Sequence, residues 1–156
     1  MPKRDYYDDP NAPRANSLVP AVSAVVLDEQ GRILMIRRTD NDLYAIPGGA
    51  QDIGETVKEA VIRETREETG IDIEVTGLVG IYSDPKHVIA YDDGEVRQEF
   101  SICFRGRPLS GRLQTSSESK EVLWVELKRI DSMNINDSIR LRILQGISEC
   151  EYPFYM

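Results

Sequence analysis

Residues 55–69, ETVKEAVIRETREET, contain neither glycine nor proline and stop at Gly70, so they are expected to form a helix. No other stretch constrains the fold as much, because its acidic residues fall on the wrong face. Stepping roughly 100° per residue from Val57 puts Ala60 and Val61 beside it. The same stripe then continues into Glu64 and Glu68, with Glu67 alongside. An apolar face that turns into three carboxylates within one turn needs a compensating cation, since buried or crowded anions are costly. Arg63 and Arg66 offset part of this charge, Arg63 by an i,i+4 contact with Glu67. Hard oxygen donors gathered in this way suit Mg²⁺ or Mn²⁺, whereas zinc prefers Cys and His.

The flanking segments read mainly as strands. Val19–Leu27 (VPAVSAVVL) is apolar and β-branched, and Arg32–Arg38 (RILMIRR) returns after the turn Asp28-Glu29-Gln30-Gly31, which together predict a hairpin. Leu43–Ile46 leads into the sharp turn Pro47-Gly48-Gly49. Beyond the helix, Ile71, Ile73 and Val75 alternate with Asp72, Glu74 and Thr76 in a strand running to Tyr82. Further strands are expected at Val88–Tyr91, Glu99–Arg105 and Val122–Leu127, with a polar loop at Ser110–Lys120. A closing helix capped by Asn136 or Asp137 should reach about Glu149, with Ile139, Ile143, Leu144 and Ile147 on one stripe. The fold class is α+β with a mixed sheet.

Composition narrows the function. At 156 residues, 40% apolar and 29% charged, the chain is one ordinary globular domain's worth. Every apolar run is too short for a membrane helix, and no apolar segment follows the basic residues at the N-terminus, so a cytoplasmic protein is expected. Two cysteines, Cys103 and Cys150, argue against a disulfide framework. A net charge of −8 disfavours nonspecific nucleic-acid binding, although a divalent cation can still bridge an acidic protein to phosphates. Residues 1–17, rich in Pro, Asp and Asn, read as a flexible arm or a segment ordered by a partner subunit in a homodimer.

The spacing Gly49-(five residues)-Glu55-(seven residues)-Arg63-Glu64-Thr65-Arg66-Glu67-Glu68-Thr69-Gly70-Ile71 resembles the Nudix box, GX5EX7REUXEEXGU, where U is a bulky apolar residue. Every invariant-type position matches, a chance event on the order of 1 in 10⁸ per start position. Thr65 at the first U position is the one departure, and it touches helix packing more than chemistry. The resemblance extends over about 18–150, leaving 151–156 as a C-terminal tail. It implies a Nudix-type α/β/α sandwich around a mixed β-sheet. It also implies hydrolysis of a nucleoside diphosphate linked to another moiety, giving a nucleoside monophosphate and a phosphorylated partner.

The resemblance also assigns roles. Glu64, Glu67 and Glu68, with the Gly48 carbonyl, would hold Mg²⁺ or Mn²⁺. Arg63 would pair with Glu55 to orient the box, while Gly49 and Gly70 serve backbone geometry. Glu118 matches a further family carboxylate, with Glu121 its competitor, and either Glu118 or Glu64 could be the general base. Arg37 and Arg38 point to opposite faces of their strand, so one could meet substrate while the other faces solvent. Tyr44 could stack on a base or pack in the core. His87, the only histidine, suits a structural or substrate-contacting role better than a metal ligand, and Cys103 suits the core. For substrate, Pro85 stands 15 residues after Gly70, close to a proline of the family's ADP-ribose hydrolases. ADP-ribose or a related nucleotide sugar is therefore favoured, with (d)NTP or oxidised-nucleotide house-cleaning next and an inactive ligand-sensing module as the reading from another class.

Overall fold

The computed structural model describes residues 3–156. Its strands, in chain order, are β1 (Lys3–Tyr7), β2 (Ser17–Leu18), β3 (Ala21–Val26), β4 (Ile33–Arg38), β5 (Tyr44–Ala45) and β6 (Gly48–Ala50) before the first helix, α1 (Val57–Thr69). After it come β7 (Ile71–Tyr82), β8 (His87–Tyr91), β9 (Val96–Gln98), β10 (Ser101–Gly111), β11 (Ser119–Val125), the helix α2 (Asp137–Ile147) and β12 (Phe154–Tyr155). A short 3-10 helix at Leu127–Ser132, which has no periodic signature, joins β11 to α2.

β3 and β4 are apolar on both faces, and this decides the architecture. A two-stranded ribbon would leave one face of each in water, and the predicted hairpin does not form. The strands meet only at a Leu27–Ile33 bridge and then part. β3 enters the mixed sheet β12-β7-β10-β3-β6, parallel to β10 and antiparallel to β6, while β4 sits between β11 and β5. Burial on both faces is what a strand inside a sandwich requires. On one side Val22, Ala24 and Val26 pack with Ala60 and Val61 of α1 and with Ile71 and Ile73. On the other, Val25, Val79 and Cys103 pack with Ile143 of α2. Each fully buried Val or Ile contributes about 1.5–3 kcal/mol, so these two clusters hold the helices to opposite sides.

Several expectations are corrected. The segment read as a loose arm contains β1, paired antiparallel with β8, and β2, paired parallel with β9. Its backbone bonds are met by strands about eighty residues away, which no local pattern reveals. The tail carries β12, which adds in parallel to β7 at Gly80–Ile81. The polar loop is shorter than expected, because β10 runs on to Gly111 and β11 begins at Ser119. In α2 the stripe is Ile139, Ile143 and Ile147. Leu144, one residue off that i,i+4 row, is 52% exposed. Among the described residues no helix is long and apolar enough to cross a membrane.

Candidate active site

α1 starts and stops where its sequence says it should. Thr56 is the N-cap: its hydroxyl accepts from the Glu59 N–H at 3.1 Å, and Glu59 reaches back to Thr56 in a capping box. Gly70 ends the helix in the left-handed conformation, φ +79°, where a side chain would be strained. Thr65 is fully buried, yet its hydroxyl donates to the Val61 carbonyl at 2.7 Å, so the polar substitution in the box leaves no orphan group.

Arg63 is the clasp of this site. Its guanidinium donates to both carboxylate oxygens of Glu55, at 2.6 and 2.8 Å, to the Ala50 carbonyl at 3.1 Å, to Glu64 at 2.9 Å and to Glu67 at 3.2 Å. The first pair holds the Glu55 carboxyl down to about 2. The Gly49 turn is thereby tied to the middle of α1. A Cβ at Gly49 would stand 2.5 Å from the Glu64 carboxylate carbon, so only glycine leaves Glu64 its place.

Glu68 is 3% exposed and has no ion pair within 4 Å among the described residues. Its carboxylate accepts from the Gly48 N–H at 2.7 Å. Burial raises its pKa to about 8; the Gly48 hydrogen bond and the charge of Arg38 oppose this, and the charges of Glu64 and Glu118 add to it. Glu64, partly buried, is also raised, again chiefly by burial, with Arg63 opposing. Glu67 is largely exposed. Among the described residues no three His, Cys, Asp or Glu side chains converge as a closed metal cage. Glu64 and Glu67 instead share the positive charge of Arg63. The donor chemistry nevertheless fits a hard divalent cation, because Glu68 is buried with no cation within ion-pair distance among the described residues and a second carboxylate, Glu64, lies near it.

The structure separates the other candidates. Ser119, fully buried at the start of β11, donates from its hydroxyl to the Glu68 carbonyl at 2.6 Å. This brings the preceding residue, Glu118, into the field of Glu64 and Glu68. Its competitor Glu121 accepts from the Tyr44 hydroxyl at 3.0 Å and lies 3.9 Å from Arg37. Arg38 and Tyr44 line a cavity of about 220 Å³ together with Gly48 and Gly49. Arg37 does not, being held 2.7 Å from Asp42 with its guanidinium over the Tyr44 ring. Pro85 lines a separate surface hollow with Asp8 and Lys86, so it takes no part in this cavity.

Part of the cavity wall has no counterpart in the sequence reading. Lys3, Asp5 and Tyr7 alternate along β1 and face it, opposite Tyr91, Ile89 and His87 of β8 in direct register. Tyr7 stacks on His87 at 4.2 Å between ring centroids, and its hydroxyl accepts from the Asn136 side chain at 2.7 Å. His87 Nε2 lies 3.0 Å from Asp5, and Nδ1 lies 3.3 Å from Glu99, which in turn accepts from Arg142. The period-two spacing of Lys3, Asp5 and Tyr7 is a weak local signal; the pairing to β8 that gives it meaning is long-range.

Comparison with known proteins identifies the family. A model of the NUDIX domain matches residues 17–143. A MutT-like protein of Streptomyces ambofaciens is 40% identical over 127 residues, covering 81% of this chain and 75% of that protein. An ADP-ribose pyrophosphatase of Methanocaldococcus jannaschii is 34% identical over 120 residues, covering 74% and 68%. Among solved structures, a MutT protein from Methanosarcina mazei superposes with a TM-score of 0.67 at 25% identity, over 84% of this chain and 94% of that one. The box, the clasped helix and these similarities lead to one statement: the chain belongs to the Nudix hydrolase family.

Proposed function

We propose that this enzyme hydrolyses the pyrophosphate bond of a nucleoside diphosphate linked to another moiety, by attack of water at phosphorus. The observation that carries the reading is Glu68, a carboxylate buried without a cation beside Glu64 and against the Gly48–Gly49 turn. Nudix hydrolases generally use divalent metal ions. Here Glu64, Glu67, Glu68 and the Gly48 carbonyl would hold Mg²⁺, with Mn²⁺ as the alternative. Such a cation lowers the pKa of bound water and neutralises phosphoryl oxygens. Arg63 fixes Glu64 and Glu67, the Gly48 N–H fixes Glu68, and Glu55 fixes Arg63, so the donors are positioned before substrate arrives. Glu64 and Glu118 are the carboxylates available to take the proton of the attacking water. Arg38 and Tyr44 contribute to the substrate wall.

ADP-ribose or a related nucleotide sugar is the favoured substrate class. It rests on the M. jannaschii relative's name, since Pro85 lies outside the cavity. The test is phosphatase-coupled phosphate release from ADP-ribose, nucleotide sugars, dinucleoside polyphosphates, and normal and oxidised dNTPs, each with Mg²⁺, Mn²⁺ or EDTA. Metal-dependent turnover favouring the first two supports the reading in full, and preference for dNTPs replaces the substrate class. No turnover of any compound by folded protein overturns hydrolysis in favour of a ligand-sensing module.

A further inference from the structure

The charged groups around the cavity are matched in pairs: Asp5 with His87, Glu99 with Arg142, Arg97 with Glu95, and Arg38 with Asp40. Lys3 breaks the pattern. Among the described residues its ammonium makes no ion pair and no hydrogen bond, although it lines the same cavity and is partly buried. The pairing of β1 with β8 sets Lys3 opposite Tyr91, on the wall of the same cavity that Arg38 lines. Burial lowers its pKa and the charge of Arg38 adds to this, while the carboxylates of Asp5, Asp40 and Glu118 oppose it. Among the described residues none of those carboxylates comes within ion-pair distance of the Lys3 ammonium, which is left free to meet an anion that enters the cavity.

The position of the pair says which anion. Arg38 lies in the field of Glu68, the carboxylate hydrogen-bonded to Gly48, so the two cations adjoin the box. Arg38 already spends its fork on Asp40, at 2.9 and 2.7 Å, whereas Lys3 retains all its donors. We propose that Lys3 is a substrate-binding residue, which the N-terminal strand carries into the cavity to form, with Arg38, a two-cation seat for a phosphoryl group. It rests on the proposed hydrolytic reading for the identity of that anion as part of a pyrophosphate. A lysine suits the role as a point charge for phosphate oxygens. The segment read from sequence as a loose arm thereby completes the substrate site.

The probe is inorganic pyrophosphate with Mg²⁺, titrated calorimetrically into the wild type, Lys3→Met and Lys3→Arg. Methionine keeps most of the aliphatic stem and removes the charge, so it separates a phosphate contact from simple cover of the wall. The expected result is roughly tenfold weaker binding for Lys3→Met and near-wild-type binding for Lys3→Arg, with thermal unfolding of the ligand-free Lys3→Met protein no lower than that of the wild type. KM for the best substrate should rise by a similar factor in Lys3→Met, with kcat little changed. Equal affinity of wild type and Lys3→Met for pyrophosphate, or no binding by the wild type, overturns the seat even if hydrolysis is found. Weakened binding in Lys3→Met without turnover of any substrate leaves the seat standing and overturns the hydrolytic reading alone.

Discussion

The backbone N–H of Gly48 donates to the Glu68 carboxylate at 2.7 Å, across twenty residues of chain. This one bond fastens the glycine turn to the last turns of α1 and gives a buried carboxyl group its only direct partner among the described residues. A carboxylate in that position favours any cation that enters beside it.

Binding of Mg²⁺ should therefore stabilise the fold. A ligand at a hundred times its dissociation constant adds about 2.7 kcal/mol, which for a chain of this size raises Tm by roughly 5–10 °C. Differential scanning fluorimetry with Mg²⁺ and with EDTA should show that rise in the wild type. It should be reduced or absent in Glu68→Gln and Glu64→Gln.

Gly49→Ala should separate stability from activity. The added methyl would meet the end of the flexible Glu64 side chain 2.5 Å away, so the side chain moves and the fold survives. A carboxylate displaced by about 1 Å can cost on the order of 100-fold in rate. The expected outcome is a Tm close to wild type with kcat reduced at least about tenfold; wild-type kcat would mean Glu64 does not need its observed place.

Arg63→Lys should behave as a severe change despite conserving charge. The ammonium cannot reproduce the two-pronged contact with Glu55 while also reaching Ala50, Glu64 and Glu67. A loss of about 1–2 kcal/mol in a denaturant melt is expected, discounted for the partial exposure of the guanidinium. Metal-dependent turnover should fall more than stability does, because Glu64 and Glu67 lose their common anchor.

His87 should make stability depend on pH in the mildly alkaline range. It faces Asp5 and Tyr7 from β1 and Glu99 at the β9–β10 junction, with Arg142 of α2 behind Glu99. Burial disfavours its cation, but Asp5 and Glu99 outweigh burial and lift its pKa from 6.5 to about 8. A histidine pKa raised by folding stabilises fully below the unfolded value, and that contribution fades as pH climbs through about 8. The shift corresponds to about 2 kcal/mol. Burial also works against the Glu99 carboxylate, yet His87 and Arg142 hold it down to about 2, so its contribution fades only as pH falls below about 4.5. Stability should drop between pH 6.5 and 8.5 in the wild type and less steeply in His87→Gln, where the raised Glu68 carboxyl still contributes a decline up to about pH 8. As the only histidine, His87 gives one imidazole NMR signal, and a midpoint at or below 6.5 would contradict the network.

The parts of this molecule written in local pattern are the parts that sequence reveals. α1, its Gly70 stop and its carboxylate stripe follow from a single turn-by-turn rule, and the spacing from Gly49 to Gly70 carries the family. Choosing between Glu118 and Glu121, or between Arg37 and Arg38, needs the register of β11 against β4, which alternation alone leaves open. The wall formed by Lys3, Asp5 and Tyr7 is hidden for a different reason: β1 has a short polar sequence, and only β8 makes it a strand. Val19–Leu27 and Arg32–Arg38 were each legible as strands, but the sheet that each joins depends on its cover from both faces.

The most direct measurement is the initial rate of hydrolysis as a function of Mg²⁺ concentration, for the wild type and Glu68→Gln, with the best substrate of the panel. The expected wild-type curve rises from zero in EDTA to saturation, while Glu68→Gln stays at least about 100-fold lower. Wild-type turnover that persists in EDTA, or a Glu68→Gln curve superimposed on the wild type, would contradict a metal-dependent hydrolase built on the carboxylates of α1.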